Sequence, residues 1–89
     1  MAQRTVTIAS SVGLHARPAA VFVEAASETG LDVEIGRPGE DAVDATSVLG
    51  VMTLGAVHGE EVVLTAEGDG ADEALDGLVA LLSRDLDAE

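Results

Sequence analysis

Apolar and polar positions change their spacing several times along this chain. From Arg4 to Ser10 they alternate: Val6 and Ile8 fall on one side, Thr5 and Thr7 on the other, as in a half-buried strand. Past Pro18 the spacing becomes helical. Ala19, Phe22, Val23 and Ala26 share a face, Glu24 and Glu28 lie opposite, and Gly30 reads as the helix stop. Alternation returns in "LDVEIG", where Leu31, Val33 and Ile35 oppose Asp32 and Glu34. "RPGEDA" reads as a turn, and a short strand is expected within Asp41 to Ala45.

The segment "TSVLGVMTLG" carries both signals. Its β-branched residues favour a strand, yet Val48, Val51 and Met52 recur at i, i+3 and i+4 behind Ser and Thr caps. The spacing predicts a short helix ending near Gly55. A strand over "EEVVLTAEG" places Val62, Leu64 and Ala66 on one side. In the last segment, "DGADEALDGLVALLSRDL", Ala71, Leu75, Leu78, Val79 and Leu82 form an apolar stripe. Asp69, Asp72 and Glu73 suit the positive end of that helix.

The expected order is β-α-β-β-α-β-α in a single domain over residues 1–89. Cleanly alternating strands suit an antiparallel sheet with one covered face, and helices with one apolar stripe each belong on that face. The fold class is α+β, a two-layer sandwich.

Composition narrows the function. Seventeen acids face four arginines and no lysine, for a formal net charge of −13. Such a surface repels phosphate backbones and anionic lipid, and a single aromatic leaves no platform for stacked bases. Nucleic acid and membrane are therefore not expected as partners. Missing cysteine removes disulfides and thiolate metal sites, and no metal or cofactor is expected. The N-terminus has no apolar signal region, and no apolar run is long enough to span a bilayer. The expected location is the cytoplasm. The acidity reads as solubility or as adaptation to high salt, and the lack of lysine favours high salt.

The unusual chemistry lies in "VGLHARPAA". If the helix begins near Ala16 or Arg17, His15 stands at its N-cap, beside unpaired N–H groups and positive potential. Pro18 removes one donor but leaves the N–H groups of Ala16 and Arg17, which with the Arg17 guanidinium make a phosphate site. Positive potential disfavours the imidazolium, so the ring stays neutral and nucleophilic. A phosphoryl group on His15 would put an anion where one is welcome. On local physics alone, a surface cap is the commoner role of such a histidine. His58 is the only other imidazole, too little for a metal site.

"GLHARPAA", followed about thirty residues later by "TSVLGVMTLG" and then "GEEVVLTAEG", resembles the HPr family of histidine-containing phosphocarrier proteins. The likeness covers nearly the whole chain. It implies an open-faced β-sandwich of four antiparallel strands and three helices. His15 would accept a phosphoryl group on Nδ1 from phosphorylated enzyme I and pass it to an EIIA component of a sugar permease. A fructose permease or a dihydroxyacetone kinase system is a candidate receiver. Arg17 would steady the phosphate, with Ala16 beside it. The protein would be a monomeric relay rather than a turnover enzyme.

The resemblance also implies a partner surface of Ala20, Val48, Leu49 and Met52, with Val51 turned inward and Leu49 and Met52 outward. Ser47 stands where the family has a regulatory serine, the target of an HPr kinase. The family's usual lysine before it is Thr46 here, and Asp44 replaces a common asparagine. A helix cap is therefore the preferred reading of Ser47. The competing function is an HPr-like regulatory binding protein without phosphotransfer; such relatives lack the histidine that this chain keeps. Phe22 reads as core, and His58 as a solvated turn residue.

Overall fold

The alternation in the fourth strand is the clearest link between sequence and architecture. Val62, Leu64 and Ala66 are buried, while Glu61 and Glu67 stay exposed. The computed structural model describes residues 2–9, 16–55 and 57–83. Its elements are β1 (Ala2–Thr7), α1 (Ala16–Glu28), β2 (Asp32–Gly36), β3 (Val43–Asp44), α2 (Val48–Leu54), β4 (Glu61–Glu67) and α3 (Ala71–Leu82). The order and types match the expectation. The ends shift by a few residues: β1 begins at Ala2, β3 has two residues, and α3 ends at Leu82 rather than Leu86. Residues 84–86 of that expected helix, and Ser10 of the first strand, lie outside the described residues.

The strands form one sheet in the order β1-β4-β2-β3, with every pairing antiparallel. β4 pairs Val62 with Val6 and Leu64 with Ile35, so the apolar positions of three strands fall into one layer. Phe22, Ala19 and Ala26 from α1, Val51 from α2, and Leu75, Leu78 and Leu82 from α3 complete the core. Each fully buried Leu, Ile or Phe stabilises the fold by roughly 1.5–3 kcal/mol relative to exposure. Cysteine-free, the domain rests on this layer.

One side-chain clasp fixes α3 over the sheet. From β1, Arg4 donates through Nε to Asp76 at 3.0 Å and through Nη2 to Asp72 at 3.1 Å. The two aspartates stand four apart and share one face of α3. At the end of α1 the N–H of Gly30 donates to the carbonyl of Ser27, and its φ of 72° suits glycine. Gly30 therefore stops α1 as its sequence position indicates.

The uncovered face of the sheet is acidic. Asp32 stands directly opposite Glu67, and Glu34 directly opposite Asp44. Like charges so placed are destabilising and are relieved by salt.

Candidate functional site

α1 begins at Ala16, so its first turn reads Ala16, Arg17, Pro18. Helix starts leave backbone N–H groups unpaired, and proline at this level removes only one. Pro18 and Ala19 are buried and anchor the turn; Arg17 and Ala20 are exposed. Spaced three apart, Arg17 and Ala20 face the same way. The first turn carries no acid. His15, which precedes Ala16 in the chain, lies outside the described residues, as does the side chain of Ala16.

α2 packs against α1. It is seven residues long, too short to hold together alone, and it is fixed from both ends. At its start Ser47 is the N-cap: its hydroxyl accepts from the N–H of Gly50 at 3.1 Å. Asp44 serves the preceding turn instead, accepting from the N–H of Thr46 at 2.9 Å and its hydroxyl at 2.7 Å. Those bonds hold the Asp44 carboxyl below its ordinary pKa, the hydroxyl contributing most. At the other end Gly55 adopts a left-handed conformation, φ 68°, and its N–H donates to Met52. The helix reading of "TSVLGVMTLG" thus holds, and Ser47 is the cap among the competing candidates.

One face of α2 is buried through Val51, as the resemblance implies. Leu49 is 76% exposed and Val48 41%. Met52 departs from expectation: it is half-buried and packs against the core. The exposed apolar part of the patch is therefore Val48 and Leu49. Val57, 55% exposed in the following loop, is another apolar residue that the sequence reading missed. An outward valine looks no different from a core valine in sequence.

Arg37 was also missed. It reaches from the end of β2 to the end of α2, and donates to the carbonyls of Leu54 and Gly55 and to both oxygens of Glu60. Arg37 holds the Glu60 carboxyl below its ordinary pKa, helped by the N–H of Val57. The one available signal was scarcity: a chain with four cations places one just ahead of a Pro-Gly turn.

The assembled surface is open rather than enclosed. It joins a helix start to the exposed side of α2, a helix whose own residues, "VLGVMTL", carry no charge. Concavities among the described residues lie elsewhere. One of about 380 Å³ on the uncovered sheet face is lined by Asp32, Glu34, Asp44 and Glu67. Another of about 540 Å³ between α1 and α3 is lined by Ala25, Glu28, Glu73 and Leu78. No group of acids or histidines among the described residues is arranged to hold a metal ion. No described helix is long and apolar enough to cross a membrane. His58 is exposed in the turn before β4.

Comparison with known proteins gives this surface a context. A family model described as the PTS HPr component phosphorylation site matches residues 2–84. The phosphocarrier protein HPr of Haloferax volcanii is 52% identical over 82 residues, covering 91% of this chain and 92% of that one. The corresponding protein of Streptomyces coelicolor is 45% identical over 87 residues, covering 98% of this chain and 94% of its own. A crystal structure of HPr from Thermoanaerobacter tengcongensis superposes with a TM-score of 0.86 at 41% identity, covering 92% of this chain and 91% of that one. Sequence and fold agree over nearly the full length: the chain belongs to the HPr family of phosphocarrier proteins of the phosphotransferase system.

Proposed function

We propose that His15 is the phosphoryl acceptor of this relay, Arg17 its phosphate clamp, and the exposed side of α2 its docking surface. The observation that supports this best is the family match across residues 2–84, which spans "GLHARPAA" as well as α2. Being a relay rather than a turnover enzyme, the protein ends each half-reaction covalently changed. The donor is phosphorylated enzyme I. The lone pair on Nδ1 of neutral His15 attacks phosphorus, the phosphorus bond to the donor breaks, and the ring proton stays on Nε2. The new anion lies at the positive end of α1, where backbone N–H groups and the planar fork of Arg17 stabilise it. Transfer to an EIIA component reverses the chemistry; a fructose permease or a dihydroxyacetone kinase subunit is the candidate receiver.

Val48 and Leu49 supply the apolar contact, with Met52 as a partly buried support and Ala20 giving close approach from α1. Ser47 acts as the helix cap, without kinase regulation. The protein acts as a monomer, and its acidic open face suits concentrated salt. The test is incubation with enzyme I and phosphoenolpyruvate followed by mass spectrometry. Wild type should carry one phosphoryl group, labile to acid and stable to base; His15→Ala should carry none while remaining folded. An unlabelled wild type beside a competent enzyme I, or a label that survives in His15→Ala, overturns the assignment.

A further inference from the structure

We propose that Arg37 is a positioning residue for the docking helix: from outside α2 it supplies the cationic cap that fixes the pose of Leu49. The inference rests on the docking role proposed for α2. The last carbonyls of a helix lack internal partners and carry its negative end, and α2 has no basic residue in its last turn. Arg37 meets that need from the β2–β3 connection. An arginine has five N–H donors. Four are used here: Nη1 to the carbonyl of Leu54, Nη2 to the carbonyl of Gly55 at 2.9 Å, Nη2 to Glu60 Oε1 at 3.0 Å, and Nε to Glu60 Oε2 at 3.1 Å.

Glu60 extends the clasp. Its Oε1 also accepts from the N–H of Val57 at 2.9 Å, closing the loop that leaves α2. Its carbonyl accepts from Ile8, and Gly59 donates back to the carbonyl of Ile8, both at 2.9 Å. Ile8 lies seven positions before His15 in the chain. One guanidinium thus joins the end of the docking helix to the strand that leads toward the proposed acceptor.

The geometry requires a planar fork. Lysine at 37 would keep the attraction to Glu60, but its single ammonium cannot span the carboxylate and two carbonyls at once. Losing the cap lets the end of α2 fray, and a patch that must be ordered on binding binds more weakly.

The experiment measures phosphoryl transfer from phosphorylated enzyme I as a function of protein concentration. Arg37→Met, Arg37→Lys and Glu60→Gln are compared with wild type at a temperature where all are folded. Arg37→Met should raise KM roughly three- to tenfold while kcat changes by less than about twofold. Arg37→Lys should recover thermal stability more than it recovers KM. An unchanged KM in folded Arg37→Met overturns the proposal, leaving Arg37 a purely structural residue. Amide hydrogen exchange gives a readout independent of transfer. Val51, Met52 and Gly55 should exchange faster in Arg37→Met while the amides of α3 do not. If wild type accepts no phosphoryl group, the relay reading fails; unchanged exchange at these amides then sinks the clasp as well, and faster exchange upholds it.

Discussion

Ser47→Ala removes the only oxygen of that side chain and leaves everything else in place. In the folded chain this oxygen accepts from the N–H of Gly50 at 3.1 Å, and Ser47 holds the extended backbone of an N-cap, φ −110° and ψ 115°. After the substitution the amide of Gly50 turns to water. Loss of such a cap costs about 1 kcal/mol. Unfolding entropy near the midpoint is roughly 2.1 cal/mol/K per residue, so 89 residues give about 190 cal/mol/K and a Tm drop of about 5 °C. Ser47→Asn is the matched control, because asparagine caps as well as serine and adds no charge. Calorimetry in moderate salt reads all three proteins while screening the acidic surface. The reasoning fails if Ser47→Ala stays within about 1 °C of wild type, or if Ser47→Asn falls as far as the alanine variant.

The acidic face makes stability depend on salt: Tm should rise steadily as potassium chloride is raised, and Asp32→Asn combined with Glu34→Gln should flatten that rise. A flat wild-type profile would remove the adaptive reading of the acid. The Arg37–Glu60 clasp predicts a signed response to pH. Because Arg37 and the N–H of Val57 depress the Glu60 pKa below its ordinary 4.5, its stabilisation is complete above that value. It is lost as pH falls through the depressed folded value. Other carboxylates lose their mutual repulsion on protonation, an effect of opposite sign, so the readout is the difference between wild type and Glu60→Gln. That difference should be constant at neutral pH and shrink below about pH 4.5; a pH-independent difference would refute the linkage.

Much of the fold was legible because burial leaves a period. Val62, Leu64 and Ala66 mark a face, and Ala19, Phe22, Val23 and Ala26 mark a stripe. Period alone says which side of a strand is covered, not which strand lies beside it. The order β1-β4-β2-β3 therefore came only with the structure. The opposition of Asp32 and Glu67 also needed the register. Arg37 and Glu60 are 23 positions apart, beyond any local motif. Ser47 could be read correctly because a cap is a local device, closing on the N–H three residues ahead. Met52 is half-buried rather than outward: it sits about 100° around α2 from the buried Val51, at the border of the core contact, and spacing alone does not say on which side of that border a side chain falls.

The placement of charge explains how a chain of net −13 can dock at all. Burying carboxylates in an interface is costly unless each meets a cation or a donor. The sheet face opposite the helices carries Asp32, Glu34, Asp44, Glu61 and Glu67, and the first turn of α3 carries Asp72 and Glu73. The first turn of α1 has no acid, and α2 has no charged residue of either sign. On the proposed docking surface, a partner approaching Arg17, Ala20 and Leu49 would cover apolar surface and a guanidinium without stripping water from an acid on those turns. Arg4 and Arg37 are committed to carboxylates that hold α3 and the α2–β4 loop. Arg17 stands exposed on the acid-free turn, where the phosphoryl group of the proposed relay would meet positive potential. Acidity elsewhere deters anionic surfaces from docking in the wrong place, so the charge that makes this protein repellent overall also confines productive encounters to one side.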